Sequence, residues 1–546
     1  MDVREAYLRT RLSLMMFLQF FIWGCWWVPV GSYVMASSLR FNENEMTWIV
    51  STIPLGAIIS PIFVGFIADR FLPTQWVLGG LHLIGGLCLI LAGLQSNFGL
   101  MFGVLMINTL CFMPTLALCN SLAFRNLDNP NKFPRIVMFG SIGWIVAGLL
   151  VGFVLGETNP YFFFLAGAVG LIQGGYCLTL PHTPPKRAGE GGTDVFGLGA
   201  LKLLKDRSFL VFAICAFLVV IPINYYFAGC NPMLVEHEWP APTALMTLGQ
   251  LTEVFVMFSM AGFIAALGLK NILALGMLVW TLRYLLFATG AFPLVLLAIV
   301  IHGFGYCFVF VGSYIYVDKV APRHLRASAQ SLIAFLMLGV GMLLGTKISG
   351  VTLAQYRGAV SSIEAAKTTD EGSKLDKNAP IPTWSELAVL DANKDAKINR
   401  KEIEDVGATG LTVGKFTYSA RDLERALLTA DDLKEVRTRG DFRSAVANDI
   451  AVTRPDWIRA KTHHWGPYWL WPGLAAAAIG LIYWFATLGT PEPQGEPSPE
   501  PEPTGKPKAE PPVAEPPPVP PQATQAAESP GEPPPPNSPS DTLRHS

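Results

Sequence analysis

The chain has 546 residues, 51% of them hydrophobic and 15% charged, with a mean hydropathy of +0.39. A soluble domain carries roughly a quarter charged residues, so this balance excludes an ordinary water-soluble enzyme. Forty Lys and Arg against 41 Asp and Glu leave a net charge of −1 and no basic footprint for nucleic acid.

Residues 1–11 are charged and lead into an apolar run without a small-residue cleavage site, which predicts a retained first helix rather than a signal peptide. A bilayer core about 30 Å thick needs roughly 20 apolar residues at 1.5 Å each. Runs of that size predict spans over 12–34, 47–67, 75–94, 98–122, 136–156 and 160–181. After a longer break they recur over 208–232, 246–267, 271–289, 292–317, 327–354 and 466–488. The expected fold is therefore an all-α polytopic membrane protein of six plus six helices. Its parts are an N-terminal half (1–185), a linker (186–207), helices 7–11 (208–355), an insertion (356–465), helix 12 (466–488) and a tail (489–546). All eight cysteines fall in or beside the apolar runs and behave as small buried hydrophobes.

Charge sets the orientation. With a cytoplasmic N-terminus, sixteen Lys and Arg of the first eleven spans' short loops face the cytoplasm and only Arg40 faces outward. By parity the insertion is extracytoplasmic. The tail, rich in Pro, Glu and Ser, is cytoplasmic and cannot bury a core; it reads as a solvated polyproline spacer or a docking segment for a partner of unknown kind.

A charge at mid-membrane costs about 2.5–3.5 kcal/mol on insertion scales, so each one is a functional candidate. Glu253 stands well inside span 8, and Gln250, three residues earlier, shares its face. The amide offers donors and acceptors to a base or ribose edge, and a carboxyl in an apolar cavity can exchange a proton near neutral pH. The competing reading pairs Glu253 permanently with Arg283 or Lys347. His302 and Tyr306, four apart in span 10, also share a face. Asn120, Asn224 and Gln19 are intramembrane amides that either contact substrate or tie helices together.

The loop after span 2 reads Gly65-Phe66-Ile67-Ala68-Asp69-Arg70, which resembles the start of the gating signature of the major facilitator superfamily, although the basic run that usually follows is missing. Further stretches together resemble the bacterial nucleoside:proton symporters of that superfamily. These are Phe17-Leu18-Gln19-Phe20 with Trp23-Gly24, Met113-Pro114-Thr115-Leu116, Gly140-Ser141-Ile142-Gly143-Trp144, Gln250-Leu251-Thr252-Glu253, Leu282-Arg283-Tyr284 and Arg326-Ala327-Ser328. The resemblance implies a substrate site between the halves containing Gln250, Glu253, His302, Tyr306, Ser141 and Trp144, proton coupling at Glu253, and gating by Asp69 and Arg70. Two departures stand out. Val137 occupies the place where the family has an Arg, with Arg135 two residues earlier, and Cys307 replaces a carboxylate beside the pocket aromatics.

In the insertion, Asp391, Asn393, Asp395, Lys397 (through its carbonyl), Asn399 and Glu402 match the ligand spacing of an EF-hand calcium loop, with Ala396 where Gly normally makes the turn. No second loop of this spacing follows. The segment reads either as a weak calcium site or as a vestigial helix-loop-helix; no other cofactor is expected. The whole predicts a bacterial inner-membrane importer of nucleosides and protons working by alternating access. The alternatives are a sugar or glycoside symporter, or a non-transporting sensor with a calcium-binding insertion.

Overall fold

A computed structural model of the chain describes residues 3–36, 39, 41–70, 72–127, 133–184, 198–358, 382–406, 410–413, 416–419, 423 and 451–490. Among these, ten helices are long and apolar enough to cross a membrane, and the pair Phe292–Val300 and His302–Val320, bent by 42°, forms an eleventh span. Glu43–Arg70, a helix of 28 residues, completes the twelve expected from hydropathy. The tail from residue 491 onward lies outside the described residues.

The N-terminal half holds α1 (Val3–Trp27), its continuation α2 (Val30–Ala36), α3 (Glu43–Arg70), α4 (Thr74–Gly93), α5 (Phe98–Asn126), α6 (Phe133–Leu150) and α7 (Tyr161–Thr179). The C-terminal half holds α8 (Arg207–Glu236), α9 (Pro242–Leu267), α10 (Leu269–Ala288), and a tenth span built from α11 (Phe292–Val300), α12 (His302–Tyr306) and α13 (Gly312–Val320). Its eleventh span is α14 (Arg326–Ala334) running into α15 (Met342–Gln355). Single π-helical segments, Cys307–Val311 and Phe335–Gly341, join the pieces of these last two spans.

Local chemistry fixes where the helices begin. Asn42 and Glu45 bond reciprocally to each other's backbone amides at 2.9 and 3.0 Å and start α3. Asn97 accepts from the Leu100 amide at α5, and Asp206 accepts from the Phe209 amide at 2.8 Å at α8. Within a half, glycines let helices touch: a β-carbon on Gly86 of α4 would stand 2.8 Å from the Gly167 carbonyl of α7, closer than any side chain tolerates. Large apolar residues such as Phe153 and Val154 are exposed on the outside of the bundle, as a lipid-facing surface requires. Between the halves α3 packs on α15 and α6 packs on α9, a paired arrangement expected of two pseudo-equivalent units.

The insertion builds its own small core around Leu387, Ile398, Ile403, Val452 and Trp457. It contains α16 (Trp384–Leu387), β1 (Lys397–Asn399), α17 (Arg400–Glu404), β2 (Leu411–Val413), β3 (Phe416–Tyr418), β4 (Ala451–Thr453) and α18 (Arg454–Lys461), and leads into the last span, α19 (Trp465–Thr487). β1 pairs antiparallel with β4, Ile398 facing Val452. Each strand runs into a helix capped in the same way, by Asn399 with Glu402 and by Thr453 with Asp456. Among the described residues no second loop with this ligand spacing accompanies the pairing of β1 with β4.

Candidate functional site

Between the halves lies a cavity of about 490 Å³. The N-terminal half contributes Phe20, Trp23, Trp27, Ser60, Ser141 and Trp144; the C-terminal half contributes Phe227, Gln250, Glu253, His302, Tyr306 and Phe310. Six of the eight proposed substrate residues therefore share one chamber. The cavity reaches Ser331 and Ala334, within about two turns of Arg326 and so toward the face opposite the insertion.

On the insertion side the halves are joined. Trp27 packs on Phe227 at 5.3 Å between ring centroids, Ser32 bonds to Asn231, and Glu157 accepts the Thr243 amide at 2.9 Å. That amide belongs to the first turn of α9, where a carboxylate meets the positive end of the helix dipole. Lys347 donates to Asn44 Oδ1 at 2.9 Å and to Thr47 Oγ1 at 3.2 Å, with its ammonium 4.0 Å from the Trp48 ring centroid.

Glu253 is held from behind. Thr252 Oγ1 donates to the Val300 carbonyl at 2.5 Å and accepts from the Gly303 amide at 3.3 Å, which fastens α9 to the bend between α11 and α12. Cys307, standing in place of the family carboxylate, offers its thiol to the Glu253 carbonyl at 3.5 Å. The Glu253 carboxyl has no ion-pair partner among the described residues. The competing reading of a permanent pair with Arg283 does not hold: the guanidinium lies 4.3 Å from the Tyr226 ring centroid and 4.2 Å from that of Trp280, and Nε donates to the Ala298 carbonyl at 2.8 Å. Aromatic faces and a carbonyl replace the carboxylate.

From Arg283 a column of rings runs to the cavity. Tyr226 stacks on His302 at 4.9 Å, His302 on Tyr306 at 5.7 Å, and Tyr306 on Phe310 at 4.9 Å. Across the chamber Trp23 and Trp27 meet Trp144 edge-on at 5.4 and 6.4 Å. Several buried polar atoms of cavity residues have no protein partner: Gln250 Oε1, His302 Nδ1, Ser60 Oγ, Trp23 Nε1 and Trp27 Nε1. Rings from both halves with Ser60, Ser141, Gln250 and Glu253 among them make a chamber that suits a ligand carrying hydrogen-bonding groups and flat π surfaces. Ser60 and Trp27 escape sequence reasoning, and Trp23 enters it only within a family-like stretch, because nothing in a Ser or a Trp inside an apolar helix distinguishes a cavity face from a packed one.

The remaining candidates fall elsewhere. Asn224 is fully buried and donates to the Val220 carbonyl of its own helix, and Asn120 is exposed; neither lines the cavity. Gln19 ties α1 to α5 through Thr115 at 2.7 Å. Arg135 is exposed at the start of α6 while Val137 packs in an apolar cluster, so this Arg has moved to the edge of the bundle. Asp69 and Arg70 end α3, and their side chains lie outside the described residues.

In the insertion, Asp391 accepts the Asp395 and Ala396 amides at 3.1 and 2.9 Å, and Glu402 accepts those of Ala392 and Asn399 at 3.1 and 2.9 Å. Ala396 sits at φ +64°, the left-handed conformation that Gly takes at this place in a calcium loop. No group of three or more His, Cys, Asp or Glu able to hold a metal occurs among the described residues.

Comparison with known proteins agrees with this geometry. The family model described as nucleoside H+ symporter matches residues 7–364. The putative nucleoside transporter YegT of Escherichia coli (strain K12) is 40% identical over 359 residues, covering 63% of this chain and 84% of the relative. Xanthosine permease of the same organism is 31% identical over 372 residues, 63% of this chain and 88% of the relative. The crystal structure of the nucleoside transporter NupG superposes with a TM-score of 0.60 at 27% identity, covering 64% of this chain and 91% of that one.

Proposed function

The chain belongs to the nucleoside H+ symporter family and is an integral membrane transporter of nucleosides, and from that premise we propose that Glu253 carries the coupled proton within the substrate chamber. The observation that carries this is the Glu253 carboxyl, unpaired by any cation, opening on a cavity walled by aromatic rings of both halves. Tyr306 offers its ring edge and Trp144 its indole to a base, and Gln250, Ser141 and His302 line the chamber as hydrogen-bonding groups for base or ribose. Protonation of Glu253 removes a charge from the chamber and supplies a donor to substrate, so that loaded and empty carriers differ in the charge they move.

The cavity is sealed on the insertion side and extends toward the other face, which is an inward-facing arrangement when the N-terminus, Arg70 and Arg326 are cytoplasmic and the insertion is outside. That orientation in a bacterial inner membrane follows the positive charge of the loops. Asp69 and Arg70 would latch the inner face in the opposite state, and the tail would hang as a cytoplasmic spacer. Family membership favours nucleosides over sugars or glycosides, and a chamber of this size disfavours a packed, non-transporting sensor. Loop 391–402 would take calcium weakly, since the ion must draw Asp391 and Glu402 off backbone amides.

Uptake of labelled uridine, adenosine and xanthosine into proteoliposomes, with and without an imposed pH gradient, tests the reading. Glu253→Gln is expected to abolish accumulation while keeping exchange of internal for external nucleoside. Accumulation by the variant equal to that of the parent protein removes Glu253 from coupling.

A further inference from the structure

On the insertion face a second cavity, of about 510 Å³, lies above the seal between the halves. In its wall His463, on the short segment between α18 and α19, reaches two carboxylates from opposite halves of the molecule. Its Nδ1 stands 2.7 Å from Glu236 Oε1, at the end of α8, and its Nε2 stands 3.2 Å from Glu43 Oε1, in the first turn of α3. The His463 amide also donates to Glu236 Oε2 at 3.0 Å, and Trp465 Nε1 donates to the same oxygen at 2.9 Å. Arg357, just past α15, bonds to both oxygens of Glu43. The His463 and Glu43 side chains are both more than nine-tenths buried.

A neutral imidazole has one N–H and one lone pair. Here both ring nitrogens face carboxylate oxygens, which only accept, so both must donate and the ring must be an imidazolium. The charges then balance, with Arg357 and His463 against Glu43 and Glu236; without the proton a lone pair faces a buried anion. We infer that His463, Glu43 and Glu236 form a proton-binding site that holds the outer gate shut, distinct from the proton site of the substrate chamber.

Among the described residues beside Glu43, Lys347 bonds to Asn44 and Thr47, and Glu45 accepts the Asn42 amide. Lys461 bonds to Glu238, which also meets Arg454 and accepts the Trp384 amide at 2.9 Å, so the insertion is anchored to the end of α8 and moves with the C-terminal half. His237 turns to the Met233 carbonyl at 2.8 Å. His463 and Arg357 are therefore the groups of the insertion segment that cross to Glu43 of the N-terminal half. Burial disfavours its charge, but Glu236 and then Glu43 outweigh this and hold its proton up to about 9, against an ordinary value of 6.5.

Opening the gate separates His463 from Glu43 but leaves it beside Glu236, so its hold on the proton falls only part of the way toward the ordinary value. The closed state binds the proton more tightly, so the latch is engaged at the acid end of the range and is lost as pH rises through about 9. Over the part of the range between the open and closed values the open-to-closed ratio rises by up to about tenfold per pH unit.

The inference rests on the alternating-access reading, and the experiment separates the two. Ile53 lines the central chamber below the seal, so Ile53→Cys is reached by a membrane-impermeant maleimide from the insertion side only when the gate opens. Labelling rates are taken in oriented proteoliposomes from pH 6.5 to 9, as a ratio to the same reporter carrying His463→Gln, which cancels thiol ionisation. The ratio is expected to climb at least threefold over this range. His463→Lys, whose charge does not titrate there, should keep labelling low at every pH, at least tenfold below His463→Gln. A flat ratio with ready labelling of both proteins overturns the latch and leaves alternating access standing. No labelling of any variant from the insertion side overturns both.

Discussion

Gly303 lies against Glu253 so closely that a β-carbon on the glycine would collide with the Glu253 amide nitrogen. The acid is thus placed by a missing side chain on the neighbouring span, at the point where that span bends. Gly303→Ala must push α12 away from α9, and overpacking of this kind costs about 1–3 kcal/mol. The expected outcome is a melting temperature lowered by several degrees together with nucleoside uptake reduced at least tenfold. A variant with wild-type stability and uptake would show that the contact between these helices does not position Glu253.

Tyr306 is stacked between His302 and Phe310 and opens on the chamber. Its two faces are taken by those rings, so a base meets its edge; an aromatic pair of that kind is worth about 0.5–1.5 kcal/mol, and Tyr306→Ala should weaken nucleoside binding by up to about tenfold. Tyr306→Phe keeps the ring and should stay within about twofold of the parent. Competition of unlabelled nucleoside against labelled uridine, measured with both variants, reads the difference. Equal losses in the two would assign the effect to the hydroxyl rather than the ring edge.

All twelve spans were readable in the sequence to within a few residues for most boundaries, because burial in lipid demands length and apolarity before anything else. Gln250 and Glu253 were readable for a related reason: a charge inside such a run requires an explanation. The same reasoning misjudged Arg283, since an acid is the obvious partner for a buried cation, whereas Tyr226 and Trp280 supply ring faces that come from other helices or another turn. Asn224 lies off the chamber, its amide nitrogen donating to the Val220 carbonyl of its own helix and its Oδ1 buried without a protein partner, a placement its sequence position did not reveal. His463 carried no signal at all. It sits in a polar segment, and its partners are residues 43 and 236, brought to it only by the packing of the two halves.

The insertion offers a test in which sequence and backbone agree. The calcium-loop pattern demands Gly at the sixth position, Ala396 occupies it, and the backbone there still takes φ +64°. A non-glycine residue in the left-handed region carries about 1 kcal/mol of steric cost. Ala396→Gly relieves that cost and gains back only part of it, because glycine also loses more freedom on folding. The expected outcome is a small rise in the resistance of the insertion to proteolysis, with uptake unchanged, since Ala396 is exposed and far in sequence from every cavity residue. If the loop takes calcium, the easier turn should also tighten binding by a few-fold, read by terbium luminescence in the full-length protein with calcium as competitor. A more protease-sensitive Ala396→Gly would mean that the freedom glycine loses on folding outweighs the steric relief at φ +64°.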